Sequence, residues 1–307
     1  MAHQFLNPEV VARAALSALR NRTILGSLVY RDAEREFGGG SGDTITIRRP
    51  PSFVAKEFVR ANGVELQDIR ESGVKLTLDK FLDVSVSLTA EELTLDLRDM
   101  TTQVITPAMT AIADGVEERV AATLNGLPAG PTWDTADPVS TISAARMRLN
   151  KLKAPLTRRA LVCSPEAAKL LLDTDIVRRA DASGNGGQTL REASLGRLMG
   201  FDIYECNALP EPSTAFAFHP EACSLAVRAP ALPVGEVDGS SQAFEGFAVR
   251  ATRGYDITKK TNLLSFDTLI GSALINHSGD TANPLHLGMK LALPAEPAAT
   301  ARTKKAA

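Results

Sequence analysis

Between Gly42 and Asn125 an extended, charged arm runs directly into one long helix, and this order limits what the 307-residue chain can fold into. The arm leaves as GDTITIRRP, in which Ile45 and Ile47 alternate with polar residues. It returns as SGVKLTLDKFLDVSVSLTAEEL, with Val74, Leu76, Leu78, Leu82, Val84, Val86 and Leu88 spaced along it. Period-two alternation marks half-buried strands. The connecting PPSFVAKEFVRANGVELQDIRE is too polar, and too broken by Pro and Gly, to form a core of its own. An isolated two-stranded ribbon is marginal in water. The arm therefore calls for a partner surface, which points to assembly rather than catalysis.

The helix reading covers Leu97 to Asn125, on the recurrence of Val104, Ile105, Ala108, Met109, Ile112, Val116, Val120 and Leu124 at steps of three and four. Pro107 either kinks one continuous helix or marks a new start at Thr106; the first is preferred. Asn125-Gly126 is expected to end it in a left-handed stop. Upstream, Asn7 and Pro8 open a short helix. Beyond Pro138 the pattern becomes an alternation: helix Ile142–Leu152, strand Arg159–Cys163, helix Pro165–Leu172 capped by Ser164, a loop at Asp181–Gln188, helix Leu190–Met199 stopped by Gly200, and strands at 201–206, 215–219 and 222–227. This α/β module precedes strands expected at 246–252, 258–266 and 269–276, which must pair with earlier ones to avoid open edges. The end, from Leu291, reads as a Pro/Ala-rich basic tail without fixed structure.

Composition narrows the chemistry. A net charge of −2 argues against a basic nucleic-acid-binding domain, and 5% aromatics supply few stacking platforms for bases. Cys163, Cys206 and Cys223 are odd in number and widely spaced, which suits a reducing compartment rather than a disulfide framework. No secretory signal or membrane span is readable.

The motifs that could carry chemistry are weak. His219 and Cys223, with Cys206 upstream, fall short of the convergent ligands zinc needs, so no metal is expected. Gly38-Gly39-Gly40-Ser41-Gly42 and Gly184-Asn185-Gly186-Gly187 lack the strand, lysine and helix context of a phosphate loop, so no cofactor is expected, and Gly38, Gly39, Gly40 and Gly42 read as a hinge. Asp79, Asp83, Glu91, Glu92, Asp96 and Asp99 read as an acidic bias near the start of the long helix. Arg48, Arg49, Lys56 and Arg60 make the arm basic, whereas Asp114, Glu117 and Glu118 make one side of the helix acidic. Between copies such charges set register.

The order of GDTITIRRP (42–50), VKLTLDKFLDVSVSLTAEELTL (74–95), TPAMTAIADGVEERVAATL (106–124), LREASLGRLMGFDIYECNALP (190–210) and YDITKKTNLLSFDTLIG (255–271) resembles the major capsid protein of tailed bacteriophages, podophage-type branch. The resemblance implies an α+β Hong Kong phage-type fold: an N-terminal arm (1–35), an extended loop (36–80), a peripheral domain with a spine helix (81–129 and 236–291), an axial domain (130–235) and a tail (292–307). It implies a non-enzymatic shell subunit that self-assembles as pentamers and hexamers around the phage genome. Its partners would be other copies, a separate scaffolding protein (only a short segment precedes the arm), a portal, packaged double-stranded DNA and, in some shells, a decoration protein. It would be made in the host cytoplasm and kept in the virion, with no membrane role. Arg48, Arg49, Phe53, Lys56, Phe58 and Arg60 would meet Asp114, Glu117 and Glu118 of a neighbour. The alternatives are an encapsulin-like compartment and, in a different class, a cytoplasmic α/β enzyme built on 139–235.

Overall fold

A computed structural model describes residues 12–13, 15, 23–31, 43–49, 55, 57–58, 60, 64, 66, 72–89, 104–174, 196–209, 214–232, 238–244, 247–278 and 283–294. The expected hinge at 38–42, the loop at 181–188, the helical stretch 97–103 and the tail beyond 294 lie outside these residues. The chain divides into two units, one of residues 1–126 and 220–286 and the other of 127–219 and 287–307.

In the first unit the arm is a two-stranded antiparallel ribbon, β1 (Thr44–Arg49) with β2 (Ser72–Thr77), in the register Ile45↔Leu76 and Ile47↔Val74. Ile45, Ile47 and Leu76 bury their side chains with Ala226, and Tyr30, Leu78 and Ala273 close around them. The alternation seen in the sequence is thus the inward face of the arm's root. β3 (Lys80–Thr89) follows in a sheet ordered β3-β11-β10-β9, where β9 is Asp238–Phe244, β10 Phe247–Asp256 and β11 Thr261–Leu274. β8 (Cys223–Arg228) also pairs with β11.

Among the described residues this unit also holds a four-residue helix, α1 (Leu25–Leu28), and the 19-residue α2 (Thr106–Leu124), and Ala12, Arg13 and Ala15 are helical, in line with the short helix expected from Asn7-Pro8. Seven of the eight apolar positions expected to line the helix, from Ile105 to Leu124, are buried. Burying a Leu, Ile or Met side chain contributes about 1.5–3 kcal/mol, so this stripe accounts for much of the helix's stability. The α-helical ladder begins at Thr106 with Pro107 in its first turn, and Val104–Ile105 ahead of it form a π-type turn. Pro107 lacks the N–H that an uninterrupted ladder needs at this point, and the π turn absorbs the discontinuity. The first turn holds no acidic residue. The stop also differs from expectation. Asn125 has φ −62, and Gly126 donates to the Thr123 carbonyl at 3.1 Å, a tightened last turn rather than a left-handed one. A Cβ on Gly126 would lie 3.3 Å from Leu274 Cδ1, so close approach explains the glycine.

In the second unit a five-stranded sheet runs β12-β7-β4-β6-β5, with β4 Ala160–Cys163, β5 Arg197–Leu198, β6 Phe201–Glu205, β7 Thr214–Phe218 and β12 Gly288–Ala292. Among the described strands of this sheet, β4 and β6 pair in parallel and the other neighbours antiparallel. Its helices are α3 (Pro138–Lys151) and α4 (Pro165–Leu172). Ser164 caps α4 as expected, accepting from the Ala167 N–H at 3.3 Å. α3 starts four residues before the expected Ile142, because Asp137 accepts from the Ser140 N–H and Pro138 occupies the first turn.

Four further expectations are corrected. Arg197–Leu198, assigned to a helix ending at Met199, form a strand that turns through Met199 (φ 49) and Gly200 (φ 86) into β6; two successive positive φ values are the signature of a tight hairpin turn. The strands at 258–266 and 269–276 are one strand, β11. The polar pair Asp267-Thr268 continues the strand because Thr268 donates its hydroxyl to the Ala248 carbonyl at 2.8 Å and Asp267 meets Arg250. β8, placed with the α/β module, pairs with β11, and β12, placed partly in the peripheral domain and partly in the tail, pairs with β7.

The arm's root crosses β11 at Gly271, where a Cβ would come within 2.0 Å of the Thr77 carbonyl oxygen. That neighbour is backbone and cannot swing aside. Gly271→Ala is therefore expected to destabilise the folded chain by about 1–3 kcal/mol, the usual cost of overpacking. A lowered thermal midpoint in calorimetry confirms this; an unchanged one shows that the arm's root shifts freely.

Candidate intersubunit surface

The surface begins where the arm leaves its root. Arg48 and Arg49 end β1, opposite Gly73 and Ser72. Phe53 and Lys56 lie outside the described residues, as do Gly38, Gly39, Gly40 and Gly42. Phe58 and Arg60 are exposed. Three large apolar side chains in this connection face water: Phe58 is 63% exposed, Val64 77% and Leu66 93%. Isolated exposed apolar residues are common, but three within nine residues suit a surface made to be covered.

On α2, Asp114 and Glu118 are exposed and four residues apart, on one face of the helix. Among the described residues neither is in an ion pair. Glu117 departs from its expected place. It is 5% exposed and accepts from the backbone N–H groups of Leu25 at 2.8 Å and Gly26 at 3.0 Å. Ile24, at the cap position of α1, has no side-chain acceptor, so a carboxylate more than ninety residues away satisfies these two donors. Glu117 is thus committed within its own chain and is removed from the surface set.

Sequence reasoning also missed the brace under the arm. Arg119 Nη2 donates to both oxygens of Asp79, at 2.7 and 2.8 Å, tying the β2–β3 link to α2. Forty residues separate the partners, and no local spacing signals the contact. Another cluster lies on the sheet: Asp83 faces Asp267 across β3 and β11, and the Ser265 hydroxyl oxygen lies 2.8 Å from an oxygen of each carboxylate. Burial and the neighbouring Asp83 carboxyl push Asp267 upward, with Arg250 acting in the opposite sense. Hydrogen bonds from Asp267, Ser265 and Ser85 pull Asp83 downward against its partial burial. Asp267, 3% exposed, meets the Arg250 guanidinium at 2.8 Å through Nε, so this is an internal structural network.

Two of the three cysteines singled out for chemistry are poor nucleophiles. All three cysteines are buried, and burial pushes the Cys163 and Cys223 thiols to about 12. A thiol with that pKa carries almost no thiolate at neutral pH and is no nucleophile. Among the described residues no group of three His, Cys, Asp or Glu is placed to hold a metal ion, and no helix is long and apolar enough to cross a membrane.

Two outcomes are expected. Glu117→Leu strands the Leu25 and Gly26 amides, costing about 1–3 kcal/mol and accelerating their hydrogen exchange relative to α2; unchanged exchange contradicts the cap. Iodoacetamide at pH 8 is expected to leave folded chain unmodified and to alkylate all three cysteines in denaturant; rapid labelling of Cys163 in folded chain would reopen a nucleophilic role.

A family model described as phage capsid protein matches residues 72–265. No curated protein matches the chain. Among solved structures the chain is similar to that of Mycobacterium phage Che8, at 19% identity over 88% of this chain and 90% of that one, with a TM-score of 0.65. It is also similar to the capsid of cyanophage P-SCSP1u (13% identity, 83% and 84% covered, TM-score 0.58). The mature capsid of bacteriophage PhiM1 shows a comparable likeness (14% identity, 84% of each chain, TM-score 0.57).

Proposed function

Since this chain belongs to the phage capsid protein family, we propose that its arm is the element by which neighbouring copies are locked together in the shell. The fold is the Hong Kong phage-type capsid fold, α+β in class, and the protein is a major capsid protein that forms the phage head shell. An encapsulin-like compartment is not favoured. The role is structural, in a virion component that associates with copies of itself.

The finer reading rests chiefly on the exposed Phe58, Val64 and Leu66. In a shell they lie against a neighbour, with Arg48, Arg49, Phe53, Lys56 and Arg60 alongside the exposed Asp114 and Glu118 of the next copy. Apolar contact supplies the affinity and the charges supply register. Such a contact joins two different patches, so it repeats around a ring and closes into pentamers and hexamers only if curvature is controlled. A separate scaffolding protein and a portal provide that control, packaged double-stranded DNA fills the interior, and a decoration protein binds outside in shells that carry one. The glycines at 38, 39, 40 and 42 act as the hinge that lets one sequence take several arm angles. Residues 1–35, 36–80, 81–129 with 236–291, 130–235 and 292–307 serve as arm, loop, peripheral domain, axial domain and tail, apart from the exchange of β8 and β12. Assembly takes place in the host cytoplasm and needs no catalysis.

The test is Arg48→Glu combined with Arg49→Glu, viewed by electron microscopy after gradient sizing, with the full chain co-produced with its scaffolding protein. The expected result is a folded subunit that forms no closed shells. Normal particles from the double variant would overturn the arm contact.

A further inference from the structure

Fourteen consecutive residues, Arg146 to Arg159 (RMRLNKLKAPLTRR), contain six cations and no anion, in a chain whose net charge is −2. The whole-chain value conceals this stretch entirely. In the structure it forms the last turns of α3 and the link to β4. Arg146, Arg148, Lys151, Lys153 and Arg158 are exposed, and among the described residues none of them is in an ion pair. The carboxylate of nearby β6, Asp202, instead pairs with Arg197 at 3.6 Å.

The sixth cation explains how the others are held. Arg159 is 2% exposed and donates from Nε to the Pro155 carbonyl at 2.7 Å and from Nη2 to the Ala154 carbonyl at 2.8 Å. The helix end is closed by Lys153 N–H on the Asn150 carbonyl (2.9 Å) and Ala154 N–H on the Leu149 carbonyl (3.1 Å). Lys153 and Arg158 both have φ 56, a left-handed conformation that long side chains rarely adopt. Backbone outliers of this kind persist where the surroundings over-determine them and are a guide to function. Arg148 is fixed by donation to the Ala129 carbonyl at 2.7 Å. On the outer face of α3, Ser143, Arg146, Met147, Asn150 and Lys151 line one shallow depression, so amide and hydroxyl donors accompany the charges.

Cations at a helix C-terminus are favoured by its dipole, which accounts for Arg148 and Lys151. It does not account for Lys153 and Arg158, which lie beyond the helix on a braced loop. We infer that this surface binds the phosphodiester backbone of nucleic acid, reading charge and not sequence. The inference rests on the capsid reading, because the genome is the polyanion that a head shell encloses. A braced set of like charges without internal anions suits a ligand of dense, regular negative charge. The absence of aromatic side chains in this stretch fits backbone contact rather than base stacking. Moderate, salt-sensitive contacts of this kind also let DNA slide.

The test measures binding of unassembled full-length chain to a short mixed-sequence DNA duplex by fluorescence anisotropy across a salt series. Arg146→Glu with Lys151→Glu is expected to weaken binding about tenfold or more and to reduce the salt slope by about two. Lys259→Glu with Lys260→Glu, an equal charge change on the exposed β10–β11 turn, is expected to leave both unchanged. Circular dichroism checks that both variants fold. An unchanged slope in the α3 variant, or an equal loss in the control, overturns the inference. So does retained DNA binding with lost assembly, which makes this surface a contact between copies. If wild-type chain builds shells yet binds no duplex, the inference falls and the capsid reading stands. If wild-type chain builds no shells even with scaffolding protein, it is the capsid reading that fails.

Discussion

Much of the first unit hangs on hydrogen bonds made by a single strand. β11 pairs with β10 and β3 along its first part and with β8 along its last, so three separate stretches of chain are brought into register by fourteen residues. Its inner side carries Phe266 and Ile270, both fully buried, and α2 lies against it. Its two anomalies follow from this role. Gly271 has no side chain because the arm's root passes over it, and Asp267 is a buried acid held by Arg250 from the neighbouring strand. Removing one partner of such a pair is far costlier than never having built it. The strand is therefore fixed in register by groups that a purely apolar alternation would not have chosen.

The arm depends on that strand at its root. At its root, Ile45, Ile47 and Leu76 sit in the cluster beside β8, and Arg119 holds Asp79 just past β2. Farther out, Leu66 is almost fully exposed.

How much of this was legible depended on whether the deciding interaction was local. Ser164-Pro165 announced α4 because a cap acts over three residues, and the apolar stripe of α2 emerged because helical periodicity is local too. Asp137-Pro138 carry the same cap signal for α3, four residues ahead of the start expected at Ile142. The Met199-Gly200 hairpin was hidden because a residue other than glycine takes the first positive φ. The fate of Glu117 could not be read at all: from the sequence it was one of three helix acids, and only the folding of residues 25–28 onto α2 turned it inward. For the candidate surface, composition gave the sign of the charges, and tertiary packing decided which remained free.

The same distinction bears on the two charged regions. Whole-chain charge is a sound argument about long-range repulsion and solubility, but binding is decided within about a Debye length, roughly 8–10 Å at physiological salt. A segment with five exposed cations therefore behaves as a basic surface even on a mildly acidic chain. The exposed acids of α2 and the cations of α3 and its loop belong to separate stretches of sequence, with no opposite charge interleaved in the latter. Segregation of that kind lowers stability slightly through self-repulsion and is useful only when a partner supplies the missing sign. On the readings proposed above, the partners differ by place: another subunit for the acids, and for the cations the polymer that the shell encloses.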